Sequence, residues 1–153
     1  MPNTYTKIYL HLVLAVQNRS SLIDSKWKDE LYKYITGIIQ NHGHKLIAIN
    51  GTANHIHIAV GYKPTQLLPD LMQDIKVSSS KWINEKIFVN GKFNCQTGYG
   101  AFSFSHSQID KVVKYIDNQE LHHKINTFRK KYLDLLKNYN IKYDDRYVLF
   151  DIE

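Results

Sequence analysis

At 153 residues the chain has room for one domain with a sizeable core, spanning residues 1–153. Its single cysteine, Cys95, excludes an internal disulfide framework and a zinc site built on several thiolates, and fits a reducing cytoplasm. The net charge of +6 lies mostly in residues 1–100, with 11 Lys or Arg against 6 Asp or Glu, a balance that suits a polyanionic partner or plain solubility.

The opening residues 1–7 lack the basic-then-apolar order of a secretion signal, and no apolar run approaches the roughly 18 residues that cross a bilayer. Residues 5–17 alternate: Ile8, Leu10, Leu12, Leu14 and Val16 share one face, Tyr9, His11, Val13 and Ala15 the other, which predicts a strand. Asp24 or Ser25 can cap a helix running to about His42, with Trp27, Leu31, Tyr34, Ile35 and Ile38 at helical spacing and Gly43 to end it. Residues 44–50 and 54–60 read as a hairpin turning at Gly51. A second helix is expected from Leu68 to about Lys86, burying Leu71, Ile75 and Trp82, and residues 92–104 should supply a fourth strand. Ser107, with Asp110 three residues on, predicts the cap of a third helix; a fourth should cover about Thr127–Tyr139. This order gives an α+β fold: a split βαβ, ferredoxin-like or RRM-like antiparallel sheet with helices on one face and an added tyrosine-bearing helix. The opposite face is expected to stay open for a ligand.

Two short elements carry chemistry. In Asn54-His55-Ile56-His57-Ile58-Ala59-Val60 the alternation sends Ile56, Ile58 and Val60 to the core and both imidazoles to the other face, side by side, where they can ligate one metal ion. A half-exposed histidine pair with no ligand has the same pattern. On the third helix Ile109, Val112, Val113 and Ile116 form the apolar stripe, and Tyr115 lies about 110° from its centre. Gln119, one turn on, can aim its carbonyl oxygen at whatever Tyr115 approaches. A phenol with a pKa near 10 is a poor nucleophile at neutral pH and needs a metal or a base to favour the phenolate. Two imidazoles and an amide would leave positions open on a metal for a scissile phosphate, so that Tyr115 attacks phosphorus without any nucleotide cofactor.

Taken in order along the chain, these residues resemble the HUH single-tyrosine transposases of bacterial insertion sequences, the TnpA type. The family's histidine pair is matched by His55-Ile56-His57, and its tyrosine helix by Tyr115-Ile116-Asp117-Asn118-Gln119. Gly98–Ser103, Asp74-Ile75-Lys76 and Ser80–Asn84 are similar to the intervening stretches. Where the family often has Pro-Asp before the first histidine, this chain has Ala53-Asn54; where it often has tryptophan, Cys95 stands here. The resemblance implies metal ligation by His55, His57 and Gln119, Tyr115 as catalytic nucleophile, a 5′-phosphotyrosine and a free 3′-hydroxyl. It also implies magnesium or manganese, single-stranded DNA with terminal hairpins, a homodimer and a bacterial cytoplasmic setting. Imidazole suits manganese better than magnesium. Arg19, Lys76 and Lys81 are candidate DNA contacts, and His11 is a candidate structural or DNA-contact residue near the pair. Alternatives are a domesticated or replication-type nickase, a metal hydrolase using water, and a non-catalytic RRM-like nucleic-acid-binding module.

Overall fold

The computed structural model describes residues 3–17, 23–86, 88–89, 91–119, 127–144, 146 and 148–149. The elements run β1 (Tyr9–Ala15), α1 (Lys28–Asn41), β2 (Lys45–Gly51), β3 (His55–Gly61), α2 (Leu68–Lys86), β4 (Gly100–Phe104), a 3₁₀ turn (His106–Gln108), α3 (Ile109–Asp117) and α4 (Phe128–Asn138). The four strands form one antiparallel sheet in the order β2-β3-β1-β4, the split βαβ arrangement expected. No helix among the described residues is long and apolar enough to cross a membrane.

Strand alternation divides the molecule into two layers. Leu12, Leu14, Ile56, Ile58 and Val60 meet Leu31, Ile35 and Ile39 of α1 and Leu71, Ile75 and Ile83 of α2 in the main core. The other face, expected to be open, is covered. Val13 and Ala15 pack with Phe128, Tyr132 and Leu136 of α4 and with Val148 and Leu149. Ala59 packs with Phe104 and with Ile116 of α3. The apolar stripes of the last two helices find their partner here rather than in the main core.

Several boundaries differ from the pattern-based expectation, each for a local reason. The β1 ladder is shorter than 5–17, with Val16 reduced to an isolated bridge to Cys95. The fourth strand starts at Gly100 rather than 92, because backbone groups just before it pair irregularly: Phe93 N–H donates to the Asn84 side chain, and Gln96 N–H to the Ala15 carbonyl. Gly98, at φ 88°, then redirects the chain. Ser105, not Ser107, makes the capping box, its partner being Gln108, whose side chain accepts from Ser105 N–H at 3.0 Å. Trp82 is half-buried and stacks on Tyr34, while Ile83 takes the fully buried position. The β2–β3 turn does need its glycine: a Cβ on Gly51 would stand 2.1 Å from the His55 carbonyl oxygen.

Candidate active site

Register brings three imidazoles together. His11 pairs with Ala59 and Val13 with His57, so His11 and His57 are diagonal neighbours on one face, and His55 stands two residues before His57 on β3. All three are almost completely buried. Nitrogens His11 Nε2 and His57 Nδ1 share a hydrogen bond of 2.8 Å. Burial pushes the His11 pKa down to about 4, so its ring is neutral near pH 7 and can accept.

His55 is oriented from the turn before it. The Thr52 hydroxyl donates to Asn54 Oδ1 at 2.8 Å, and His55 Nδ1–H then donates to Asn54 Oδ1 at 2.6 Å and to Thr52 Oγ1 at 2.9 Å. In the neutral ring this leaves the lone pair on Nε2. The Phe128 ring stacks on the imidazole, centroids 4.4 Å apart.

Helix α3 delivers the tyrosine. The Asn50 side chain donates to the carbonyls of Ile116 and Asp117 at 3.1 and 3.0 Å, tying the end of the helix to β2. Tyr115, half-buried, lies edge-on to His57 and His11, with centroids 5.6 and 5.9 Å apart. Just past the helix, Gln119 donates through Nε2 to the Tyr115 carbonyl at 2.7 Å, which turns its Oε1 toward His55 Nε2 at 3.1 Å. Burial, with some help from the Asp134 charge, raises the Tyr115 phenol above its ordinary pKa; a hydrogen bond with the Gln119 side chain works against it. The phenol borders a cleft of about 240 Å³ lined also by His11, Gln108, Lys111 and Tyr139.

The donor chemistry fits a cation. With its proton on Nδ1, His55 presents Nε2 as an acceptor 3.1 Å from the acceptor Gln119 Oε1, a pairing that a cation between them favours; with the proton on Nε2 the same contact is a hydrogen bond to Oε1. The ammonium of Lys131, from α4, lies against both, at 3.5 and 3.2 Å. Among the described residues no three His, Cys, Asp or Glu side chains group to hold a metal, so any ion here would rest on imidazole and amide donors.

The structure thus gathers His55, His57, Tyr115 and Gln119. It does not bring Lys76 or Lys81 to them, since α2 lies on the opposite face of the sheet. Lys76 donates its ammonium to the carbonyls of Gln96 and Gly98, securing the loop before β4. Lys81 and Lys92 line a groove of about 600 Å³ on that side. Arg19 lies outside the described residues. Sequence reasoning missed Asn54 as the acceptor for His55, and missed Lys131. The first was signalled by the Asn-His step; the second is hidden within the basic run Arg129-Lys130-Lys131.

The sheet sets paired imidazoles against a tyrosine helix, and comparison with known proteins is specific. Residues 4–119 match the family model described as transposase IS200 like. The ISDra2 transposase TnpA of Deinococcus radiodurans is 22% identical over 116 residues, covering 71% of this chain and 81% of that protein. Among solved structures, the REP-associated tyrosine transposase bound to a REP hairpin superposes with a TM-score of 0.61 at 13% identity, covering 99% of this chain and 94% of that one. A candidate transposase from D. radiodurans R1 gives 0.59 at 20% identity, covering 76% of this chain and 94% of the other. The chain belongs to the IS200-like transposase family.

Proposed function

We propose that this chain, acting as one nuclease domain, cuts and rejoins single-stranded DNA through attack of Tyr115 on a phosphodiester. A divalent ion, Mg²⁺ or Mn²⁺, would be held by His55, His57 and Gln119. The observation that carries this reading is the convergence of His55 Nε2 and Gln119 Oε1, 3.1 Å apart, on a site whose neighbouring His57 touches the Tyr115 ring.

In the step itself, Tyr115 Oη forms a bond to phosphorus while the bond from phosphorus to the 3′-oxygen breaks. The phenolic proton passes to solvent and the departing oxygen takes one up, leaving a 5′-phosphotyrosine and a 3′-hydroxyl. Attack by another 3′-hydroxyl reverses the step and reseals a strand, with the bond energy kept in the ester. When bound, the ion supplies a Lewis acid that favours the phenolate and offsets charge on the phosphate. That help matters because burial alone makes the Tyr115 phenol harder to ionise. His11, neutral, accepts from His57 Nδ1–H and fixes that ring, which would leave Nε2 as its ligating nitrogen, as Asn54 and Thr52 do for His55. Asn54 supplies that acceptor oxygen without charge.

Family membership supports DNA as the substrate, and a structural neighbour is bound to a REP hairpin. Hairpin DNA and a homodimer belong to the proposal, with Lys76 and Lys81 beside the groove as contacts for the DNA backbone. The RRM-like module is disfavoured because the histidine face lies under α3 and α4 instead of offering an aromatic platform. The test is incubation with labelled hairpin-bearing single-stranded DNA and Mn²⁺, followed by a denaturing gel. A covalent adduct is expected for the natural chain and none for Tyr115→Phe. Cleavage that survives in Tyr115→Phe would reassign the chemistry to water.

A further inference from the structure

We propose that Lys131 is a built-in stand-in for the metal ion: its ammonium holds the His55–Gln119 pair in the metal-free protein and must leave before a divalent ion can enter. This inference rests on the ligand set given under Proposed function, and it adds what sets the affinity of that site.

The geometry is specific. Lys131 Nζ lies 3.2 Å from Gln119 Oε1 and 3.5 Å from His55 Nε2, two atoms that are themselves 3.1 Å apart. Neither partner can turn away at little cost. Gln119 is held by its bond to the Tyr115 carbonyl, and His55 by Asn54, Thr52 and the Phe128 ring. Lys131 itself is only 6% exposed, and burying an ammonium is costly unless such acceptors receive it. Its anchor is equally firm, because Phe128, Tyr132 and Leu136 of α4 are buried against β1 and β4. What can move is the four-carbon stem, the most flexible part of the assembly.

An ammonium and a dication cannot both rest within about 3 Å of the same two atoms, because their repulsion exceeds thermal energy many times even at an effective dielectric of about 20. Entry of the ion therefore requires Lys131 to swing out. The apparent affinity is then lowered by the fraction of time the position is vacant. The lysine keeps two ligands from drifting apart and, by the same contacts, excludes weakly bound cations.

Two measurements on the full chain test this. Mn²⁺ binding, read by electron paramagnetic resonance without DNA, is expected to tighten about tenfold or more in Lys131→Met, which keeps the length and removes the charge. In the natural chain, acetylation of the Lys131 amine by an activated ester, read by mass spectrometry, is expected to rise severalfold when Mn²⁺ is added. Unchanged Mn²⁺ affinity in Lys131→Met, or acetylation that Mn²⁺ leaves unchanged or slows, would overturn the role of Lys131 alone. Mn²⁺ binding that is absent from both chains, or unaffected by His55→Ala, would overturn the metal site and this inference together.

Discussion

The two faces of the sheet are built from the same strands and the same alternation, yet along β1 and β3 they bury different chemistry. The face toward α1 and α2 holds Leu12, Leu14, Ile56, Ile58 and Val60, all apolar. The face toward α3 and α4 holds His11, His55 and His57, with Gln119 and Lys131 sealed in beside them. Apolar burial stabilises at roughly 25 cal/mol per Å², whereas each buried polar group costs free energy until its hydrogen bonds are made. The first face holds the larger apolar cluster; the second also buries apolar groups such as Val13, Phe102 and Phe128 but gives some stability up to hold donors in place. The difference teaches that cover is not the same as core. A layer of helices can close a face because it must exclude water from a site.

The sharpest way to break this comparison is to exchange the effects of one substitution on each face. His55→Ala is expected to lower adduct formation by about a thousandfold, as loss of a ligand to a Lewis-acid ion should, while the far-ultraviolet dichroism stays native. Ile58→Ala, at a position with no exposed surface, is expected to cost about 3 kcal/mol in urea unfolding while the folded fraction still forms adduct. Adduct formation lost in Ile58→Ala but kept in His55→Ala would reverse the assignment of the two faces.

Protons sharpen the comparison next. The buried His11 ring has a pKa of about 4 against its ordinary 6.5, because burial disfavours its charged form. The unfolded chain therefore takes up a proton that the folded chain refuses. The contribution is fully present above pH 6.5 and is lost as the pH falls toward about 4. In the metal-free protein this should amount to on the order of 3 kcal/mol across that window, read as a falling urea midpoint. His11→Gln, which keeps an acceptor but does not titrate, should flatten the slope. A slope equally steep in His11→Gln would place the proton-sensitive group elsewhere.

How far this arrangement can be read from the residues differs between the faces for the same physical reason. The main core follows from periodicity alone: α2 runs from Leu68 to Lys86 as its spacing requires, and the parity of β1 and β3 sorts Ile56 and Ile58 from His55 and His57. Local pattern also places Gln119 one turn after Tyr115. The cover over the histidines is a tertiary fact. Nothing local in Arg129-Lys130-Lys131 distinguishes the one lysine that turns inward, and a charged run reads as solvated. The region 92–99 misleads because its backbone groups are satisfied by Asn84, Ala15 and Lys76, all distant in sequence. Ser105 and Ser107 compete as caps two residues apart, and only the reach of the Gln108 side chain decides between them.

The smallest expected effect bears on the joint between the faces. The amide of Asn50, near the end of edge strand β2, is the side chain that holds the last carbonyls of α3, those of Ile116 and Asp117. The last carbonyls of a helix need donors from outside it, so the amide does for α3 what a capping residue does, but from the sheet. Asn50→Ala should then cost only about 1 kcal/mol globally. Its consequence should be local: α3 carries Tyr115 and has only Ile116 fully buried. Amide exchange over residues 112–118 is expected to speed up about fivefold, while exchange in α1 and α2, held by the apolar face, stays within error. Uniform acceleration across all helices would mean that the two layers open together, and that the histidine face is as much a part of the cooperative core as the face of leucines and isoleucines.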